Sequence, residues 1–99
     1  MTFEEICQNS VVRRSAKAVA TEVNDEFVLM NLERDRCYGL GITGSEIWRR
    51  LHEPIKVAEL VAQFEAEYDA LPGEIQSDIL QALHQFAAEG LIEVGSSKD

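Results

Sequence analysis

The stretch "YGLGITGSEIWRRL", from Tyr38 to Leu51, changes within a few residues from a strand pattern to a helix pattern. Gly41 gives the backbone the freedom to turn a corner at that point. Thr43 and Glu46 have the spacing of a capping box, in which each side chain satisfies a free backbone N–H at the start of a helix. The stretch therefore predicts that a strand leads through a tight corner directly into a helix.

Three strands are predicted upstream of this corner. "AVATEV" (Ala18–Val23) alternates, "EFVLMNL" (Glu26–Leu32) is rich in apolar residues, and "RCYGL" (Arg36–Leu40) is short. Asn24–Asp25 and Glu33–Asp35 separate them, and Asn and Asp tolerate the positive φ that tight hairpin turns require. We therefore predict an antiparallel meander in which the second strand is the most buried, with a free edge on either side.

Three helices are predicted downstream of the corner. The first places Ile47, Trp48 and Leu51 on one face, and its Trp48, the only tryptophan of the chain, is expected in the core between sheet and helices. Amphipathic patterns over Val57–Tyr68 and Glu74–Gly90 predict the second and third helices, with Gly90 suited to a helix C-terminus. The predicted fold class is α+β and winged-helix-like, a three-stranded antiparallel sheet followed by three helices.

The two ends of the chain carry weaker patterns. Residues 1–17 are expected to be an N-terminal segment that is weakly structured or forms a short helix, with Thr2 as a possible cap ahead of Ile6 and Cys7. The folded domain is expected to span residues 18–94, where "LIEV" adds a short extended segment. Residues 95–99 are expected to form a flexible tail.

The composition of the chain limits the classes of partner that it can bind. The 99 residues suffice for one domain, and the net charge of −9 argues against binding to nucleic acid or to an anionic membrane surface. No signal-peptide or membrane-span pattern is present, so a cytoplasmic location is expected. Cys7 and Cys37, thirty positions apart, fit reduced thiols better than a disulfide framework.

Residues that could carry catalysis or bind a cofactor are sparse. His52 and His84 lack any metal-binding spacing, and no base is placed to activate Cys37 as a nucleophile. "GLGITG" (Gly39–Gly44) lacks the GK[ST] ending of a phosphate loop. We therefore expect no catalytic activity, no metal and no cofactor.

The segment from Ala18 to Ile92, about three-quarters of the chain, resembles the PqqD-like family, also called RiPP recognition elements. The corner "GITGSEIW" carries the most specific part of the resemblance, and "EFVLMNLERDRCYGL", "VAELVAQFEAEYD" and "ILQALHQFAAEGLIEV" support it. Two positions depart from the family pattern. Gly41 stands where many members have Asn, and Val57 stands where Ser or Thr often caps the second helix.

The resemblance implies a peptide-binding chaperone. Members bind the leader segment of a ribosomally made precursor peptide and present it to a modifying enzyme, such as a radical-SAM enzyme or a lasso-type leader protease. The leader adds as an antiparallel strand to the third strand and lies in a groove against the third helix, a mode in which backbone bonds give affinity and alternate pockets give specificity. The protein itself is expected to be a monomer or a weak dimer.

Both walls of this groove supply predicted peptide-binding residues. By period two, Tyr38 and Leu40 share one face of the third strand, whereas Cys37 and Gly39 share the other, and whether Cys37 or Tyr38 carries the outward N–H stays open. The predicted residues are Arg34, Asp35, Arg36, Cys37, Tyr38, Gly39 and Leu40 on the strand side, and Ile75, Gln76, Asp78, Ile79, Ala82, Leu83 and Phe86 on the helix.

Core packing is a competing explanation for part of this set. One stripe of the third helix must close the domain, so we favour the core for Leu83 and Phe86 and leave Ile79 open between the two roles.

Other functions remain alternatives. A winged-helix DNA-binding module has the same element order, but Glu74–Gly90 contains no Lys or Arg for contact with phosphates. An acyl carrier protein requires Asp before the modified Ser, whereas Ser77 precedes Asp78 here. A toxin–antitoxin or scaffold module for protein interaction is a third alternative.

Overall fold

The computed structural model describes residues 6–71 and 73–96. Within them the chain forms short strands and three helices, in the order β1 (Ser10–Arg14), β2 (Ala18–Val23), β3 (Glu26–Asn31), β4 (Arg36–Gly39), α1 (Ile42–Arg50), β5 (Ile55–Lys56), α2 (Val57–Glu67), α3 (Glu74–Ala88) and β6 (Ile92–Ser96). The fold is α+β, as the sequence predicts.

The predicted meander is confirmed as the antiparallel sheet β2-β3-β4. Asn24 and Asp25 have φ of 53° and 68°, so two residues with positive φ close the first hairpin, as in a type I′ turn. Asp35 has φ of 54° in the second connection. β3 is the central strand, and its side chains Leu29 and Asn31 are buried against the helices.

A second antiparallel sheet, β5-β1-β6, was not predicted. β1 is its central strand and pairs with β6 from Ser10↔Ser96 to Arg14↔Ile92. The prediction of a weakly structured or helical N-terminal segment is therefore wrong for residues 10–14. Ile6 and Cys7 are not helical either, and the rest of the suggested helix lies outside the described residues.

The tail prediction is also corrected at its start. Gly95 and Ser96 belong to β6 and pair with β1, whereas residues 97–99 lie outside the described part of the chain. Strand pairing between the two ends of a chain depends on contacts that no local pattern encodes.

The start of α1 differs from the predicted capping box. The helix begins at Ile42, and Gly41 occupies the N-cap without a side-chain hydrogen bond. Thr43 thus lies inside the first turn, and Glu46 forms ion pairs with Arg49 and Arg50. A different residue ties the corner to the sheet, since the buried Ser45 Oγ accepts a hydrogen bond of 2.8 Å from the Phe27 N–H.

Trp48 lies in the core, as predicted, with 1% of its surface exposed. Its ring meets Phe86 of α3 edge-on at 6.1 Å, and the guanidinium of Arg14 lies 4.6 Å from the ring centroid. An Arg14 nitrogen also donates a hydrogen bond to the Trp48 carbonyl. Trp48 therefore joins α1 and α3 to β1, where an aromatic ring of this size contributes several kcal/mol of stability.

The other helices bury most of the predicted stripes. Val57, Leu60, Val61 and Phe64 of α2 and Ile79, Leu83 and Phe86 of α3 are buried. Tyr68 is an exception, since α2 ends at Glu67 and leaves Tyr68 51% exposed and stacked on Phe64.

The C-terminus of α3 confirms the predicted role of Gly90. Its φ is 73°, its N–H donates to the Ala87 carbonyl, and the Leu91 N–H donates to the Phe86 carbonyl, which is the hydrogen-bond pattern of a Schellman motif. A Cβ at position 90 would lie 2.6 Å from Nδ2 of Asn31. Glycine is therefore required here by both backbone conformation and space.

Candidate functional site

β4 is an edge strand whose outward groups can be assigned. The Leu40 N–H donates to the Phe27 carbonyl of β3 at 2.9 Å, and the register pairs Tyr38 with Leu29. Hydrogen-bonded pairs alternate with non-bonded pairs along an antiparallel ladder, so the backbone N–H and C=O groups of Leu40 and Tyr38 face β3. The N–H and C=O groups of Cys37 and Gly39 consequently point away from the sheet, and among the described strands none pairs with this edge.

A groove separates this edge from α3. Its lining is largely apolar, because it includes the buried side chains of Leu40 on the sheet side and Phe86 on α3, and Ala82 of α3 adds a small apolar side chain. The residues that line it are Tyr38, Gly39, Leu40, Gly41, Gly44, Ala82, Gln85, Phe86, Glu89 and Leu91.

A polar cluster closes one end of the groove. The Tyr38 hydroxyl donates a hydrogen bond of 2.6 Å to Oε1 of Glu89. Arg34 lies 3.7 Å from the same carboxylate and donates to the Ala88 carbonyl at 2.8 Å. The hydrogen bond to Glu89 is the main cause that raises the pKa of Tyr38, so this phenol is held in its protonated, donating form.

Asn31 holds the cluster in place from below. It is buried, and its Nδ2 donates to the carbonyls of Glu89 and Gly90 at 2.9 and 3.1 Å. Its Oδ1 accepts the Glu33 N–H at 2.8 Å. One side chain therefore fixes the β3–β4 connection against the end of α3, and with it the distance between the two walls of the groove.

A second pocket lies farther along α3, where the starts of α1 and α3 meet the end of α2. Its lining is apolar except at the rim, and consists of Ile42, Thr43, Glu46, Phe64, Tyr68, Ile75, Asp78 and Ile79. A shallow depression over Thr43, Asp78 and Ala82 connects it with the groove.

The structure divides the predicted peptide-binding residues into several groups. Tyr38, Gly39, Leu40, Ala82 and Phe86 line the groove, whereas Ile75, Asp78 and Ile79 line the second pocket. Leu83 is fully buried, which supports its role in the core. Arg34, Asp35, Arg36, Cys37 and Gln76 line neither cavity, although Arg34 joins the polar cluster and Cys37 presents its backbone at the edge.

Sequence reasoning missed part of the groove, namely Gly41, Gly44, Gln85, Glu89 and Leu91. Gln85 and Glu89 lie three and seven positions after Ala82, so the helical period itself was a usable signal for them. Leu91 reaches the groove only through the turn at Gly90, which no periodicity encodes.

The described residues carry neither a metal-binding cluster nor a helix that could span a membrane. His52 and His84 are exposed, and no group of His, Cys, Asp or Glu side chains in residues 6–71 and 73–96 could hold a metal ion. None of the helices in that part of the chain is long and apolar enough to cross a membrane.

Two solved structures share this architecture. One is TbiB1 in complex with the TbiA(beta) leader peptide, with 30% identity, a TM-score of 0.76, and coverage of 87% of this chain and 99% of that one. The other is a lasso peptide synthetase B1 complexed with its leader peptide, with 17% identity, a TM-score of 0.72, and coverage of 83% and 96%. No curated protein matches this chain.

The family model described as coenzyme PQQ synthesis protein D (PqqD) matches residues 26–92, which include the sheet edge, the corner and all three helices. The match spans more than half of the sequence, and it agrees with the 30% identity over most of the chain to TbiB1. The chain therefore belongs to the PqqD family.

Proposed function

We propose that this protein captures the leader of a ribosomally synthesised precursor peptide and presents it to a processing enzyme. The observation that supports this proposal most is the unpaired edge of β4, where the backbone groups of Cys37 and Gly39 point outward beside an apolar groove. An extended peptide can satisfy those groups by adding one antiparallel strand. TbiB1, a relative at 30% identity, has been solved in complex with a leader peptide, which supports a leader peptide as the ligand.

The geometry of the edge assigns roles to alternate residues of such a peptide. Residues opposite Cys37 and Gly39 exchange backbone hydrogen bonds with them. Residues opposite Tyr38 and Leu40 point into the groove, because directly opposed side chains lie on the same face of a sheet. An apolar side chain opposite Leu40 would contact Ala82 and Phe86. A side chain opposite Tyr38 would contact the polar cluster that includes Glu89.

The protein would act through binding and not through chemistry of its own. The enzyme that receives the leader would be a modifying enzyme of the radical-SAM class or a lasso-type leader protease. This protein would supply the affinity for the leader, while the core segment of the precursor remains accessible to the enzyme.

NMR titration of the isotope-labelled chain tests the binding mode. The ligand is the synthetic leader segment of a candidate precursor peptide, and a scrambled peptide of the same composition is the control. We expect a dissociation constant between about 1 nM and tens of micromolar, because ordering a flexible peptide offsets much of the contact energy. Shifts should concentrate on residues 36–40 and 82–89. Shifts centred on α2 instead would contradict the groove assignment.

A further inference from the structure

The sheet β2-β3-β4 has a second free edge, on β2. The Leu32 N–H donates to the Lys17 carbonyl at 2.9 Å, and the register pairs Val19 with Met30 and Thr21 with Val28. Bonded pairs alternate, so the backbone groups of the odd-numbered residues of β2 face β3. Those of Ala20 and Glu22 point outward, and no strand in the described part of the chain pairs with them.

This edge carries little of the usual protection. β2 has the sequence "AVATEV" and contains no proline or bulge, and its one charged residue, Glu22, is held in an ion pair with Arg49 of α1. The outer face beside it exposes Val19, Val23 and Val28 by 46%, 50% and 37%, and Glu26 is its one charged side chain, next to the hairpin turn. An apolar face that continues to an open edge is suited to sheet extension.

The edge is also complementary to itself. When two copies of Val19–Val23 pair antiparallel about a two-fold axis at Thr21, each Val19 lies opposite Val23 of the partner subunit, and Thr21 lies opposite its own equivalent. The outward groups of Ala20 and Glu22 then exchange backbone hydrogen bonds with Glu22 and Ala20 of the partner subunit. No other register centred on this strand aligns both valines while using both outward residues.

The charges are compatible with this pairing. Glu22 of the two copies would lie diagonally at roughly 7–8 Å, a distance at which like charges repel. Arg49 of the same chain already neutralises each Glu22 through an ion pair of 2.9 Å. The valine and threonine side chains of the outer face add no charge.

We propose that the β2 edge binds a second copy of this chain and forms a symmetric dimer with a continuous six-stranded sheet. An isologous contact of this kind closes on itself, so it gives a dimer and not a filament. The two β4 edges lie at the outer ends of the extended sheet and stay free.

Disulfide cross-linking tests the register. In the proposed dimer, Thr21 and its equivalent form a non-hydrogen-bonded pair with Cα atoms about 4.5 Å apart, within the range of a disulfide. We expect the full-length Thr21→Cys variant to form a covalent dimer under mild oxidation. Val19→Cys is the matched control, because position 19 faces position 23 and should remain at the level of the wild-type chain with its native cysteines. Absence of cross-linking in Thr21→Cys, or equal cross-linking in Val19→Cys, would overturn the proposal.

Sedimentation velocity over a concentration series tests the association itself. The wild-type chain should form a reversible dimer. Thr21→Lys places two ammonium groups opposite each other, and Ala20→Pro removes an outward N–H, so each should weaken dimerisation at least about tenfold, or about 1.4 kcal/mol. Circular dichroism should show that both variants remain folded, because both positions are exposed. A wild-type chain that is monomeric at every concentration, or a dimer that Thr21→Lys leaves intact, would refute the proposal.

Discussion

At the scale of single residues, Trp48 has the largest expected effect on stability. It is buried, its ring contacts Phe86 of α3 and the Arg14 side chain, and truncation to Ala would leave a large cavity. We expect Trp48→Ala to lower the free energy of unfolding by about 3–5 kcal/mol in chemical denaturation. Trp48→Phe is the control and should lower the free energy of unfolding by less, since no described group accepts a hydrogen bond from the indole Nε1. A near-wild-type stability of Trp48→Ala together with loss of peptide binding would show that the ring contacts the ligand instead.

At the scale of elements, the edge strand β4 should respond differently to proline at adjacent positions. The Cys37 N–H points outward, whereas the Tyr38 N–H faces β3, as the bond from Leu40 to Phe27 requires. Cys37→Pro should therefore stay folded and weaken leader binding at least tenfold, or about 1.4 kcal/mol, whereas Tyr38→Pro should disrupt the sheet. Circular dichroism and calorimetry measure the two effects. Wild-type affinity in a folded Cys37→Pro variant would mean that the leader docks elsewhere.

At the scale of the whole molecule, the two sheets make the fold depend on its N-terminal segment. β1 is central in β5-β1-β6, buries Val12, and supplies Arg14 to the Trp48 carbonyl. We expect a chain that begins at residue 18 to lose cooperative thermal unfolding. Arg13→Ala is the control, because it removes only an exposed ion pair with Glu93. It should lower the free energy of unfolding by less than about 1 kcal/mol. A truncated chain that melts like the full-length protein would show that residues 18–94 fold independently.

The features that local sequence determines were predictable in this protein. Asn24–Asp25 closes the first hairpin because these two residue types tolerate positive φ, and Gly90 ends α3 for the same conformational reason. The helical period identified the buried face around Trp48, and period two separated Tyr38 and Leu40 from Cys37 and Gly39. Each of these properties depends on neighbours within one or two turns of chain.

Other features depend on distant partners, and only the tertiary structure decides them. β1 becomes a central strand because β5 and β6 flank it, although its own sequence is short and weakly patterned. The expected capping box is not formed because α1 begins at Ile42 and places Thr43 inside its first turn, and Ser45 ties the corner to Phe27 instead. The third helix has one apolar stripe, yet Leu83 is sealed in the core while Ala82 and Ile79 line separate cavities. Period and propensity specify which face of an element is apolar, but the packing of the other elements decides which part of that face is covered and which part stays open to a ligand.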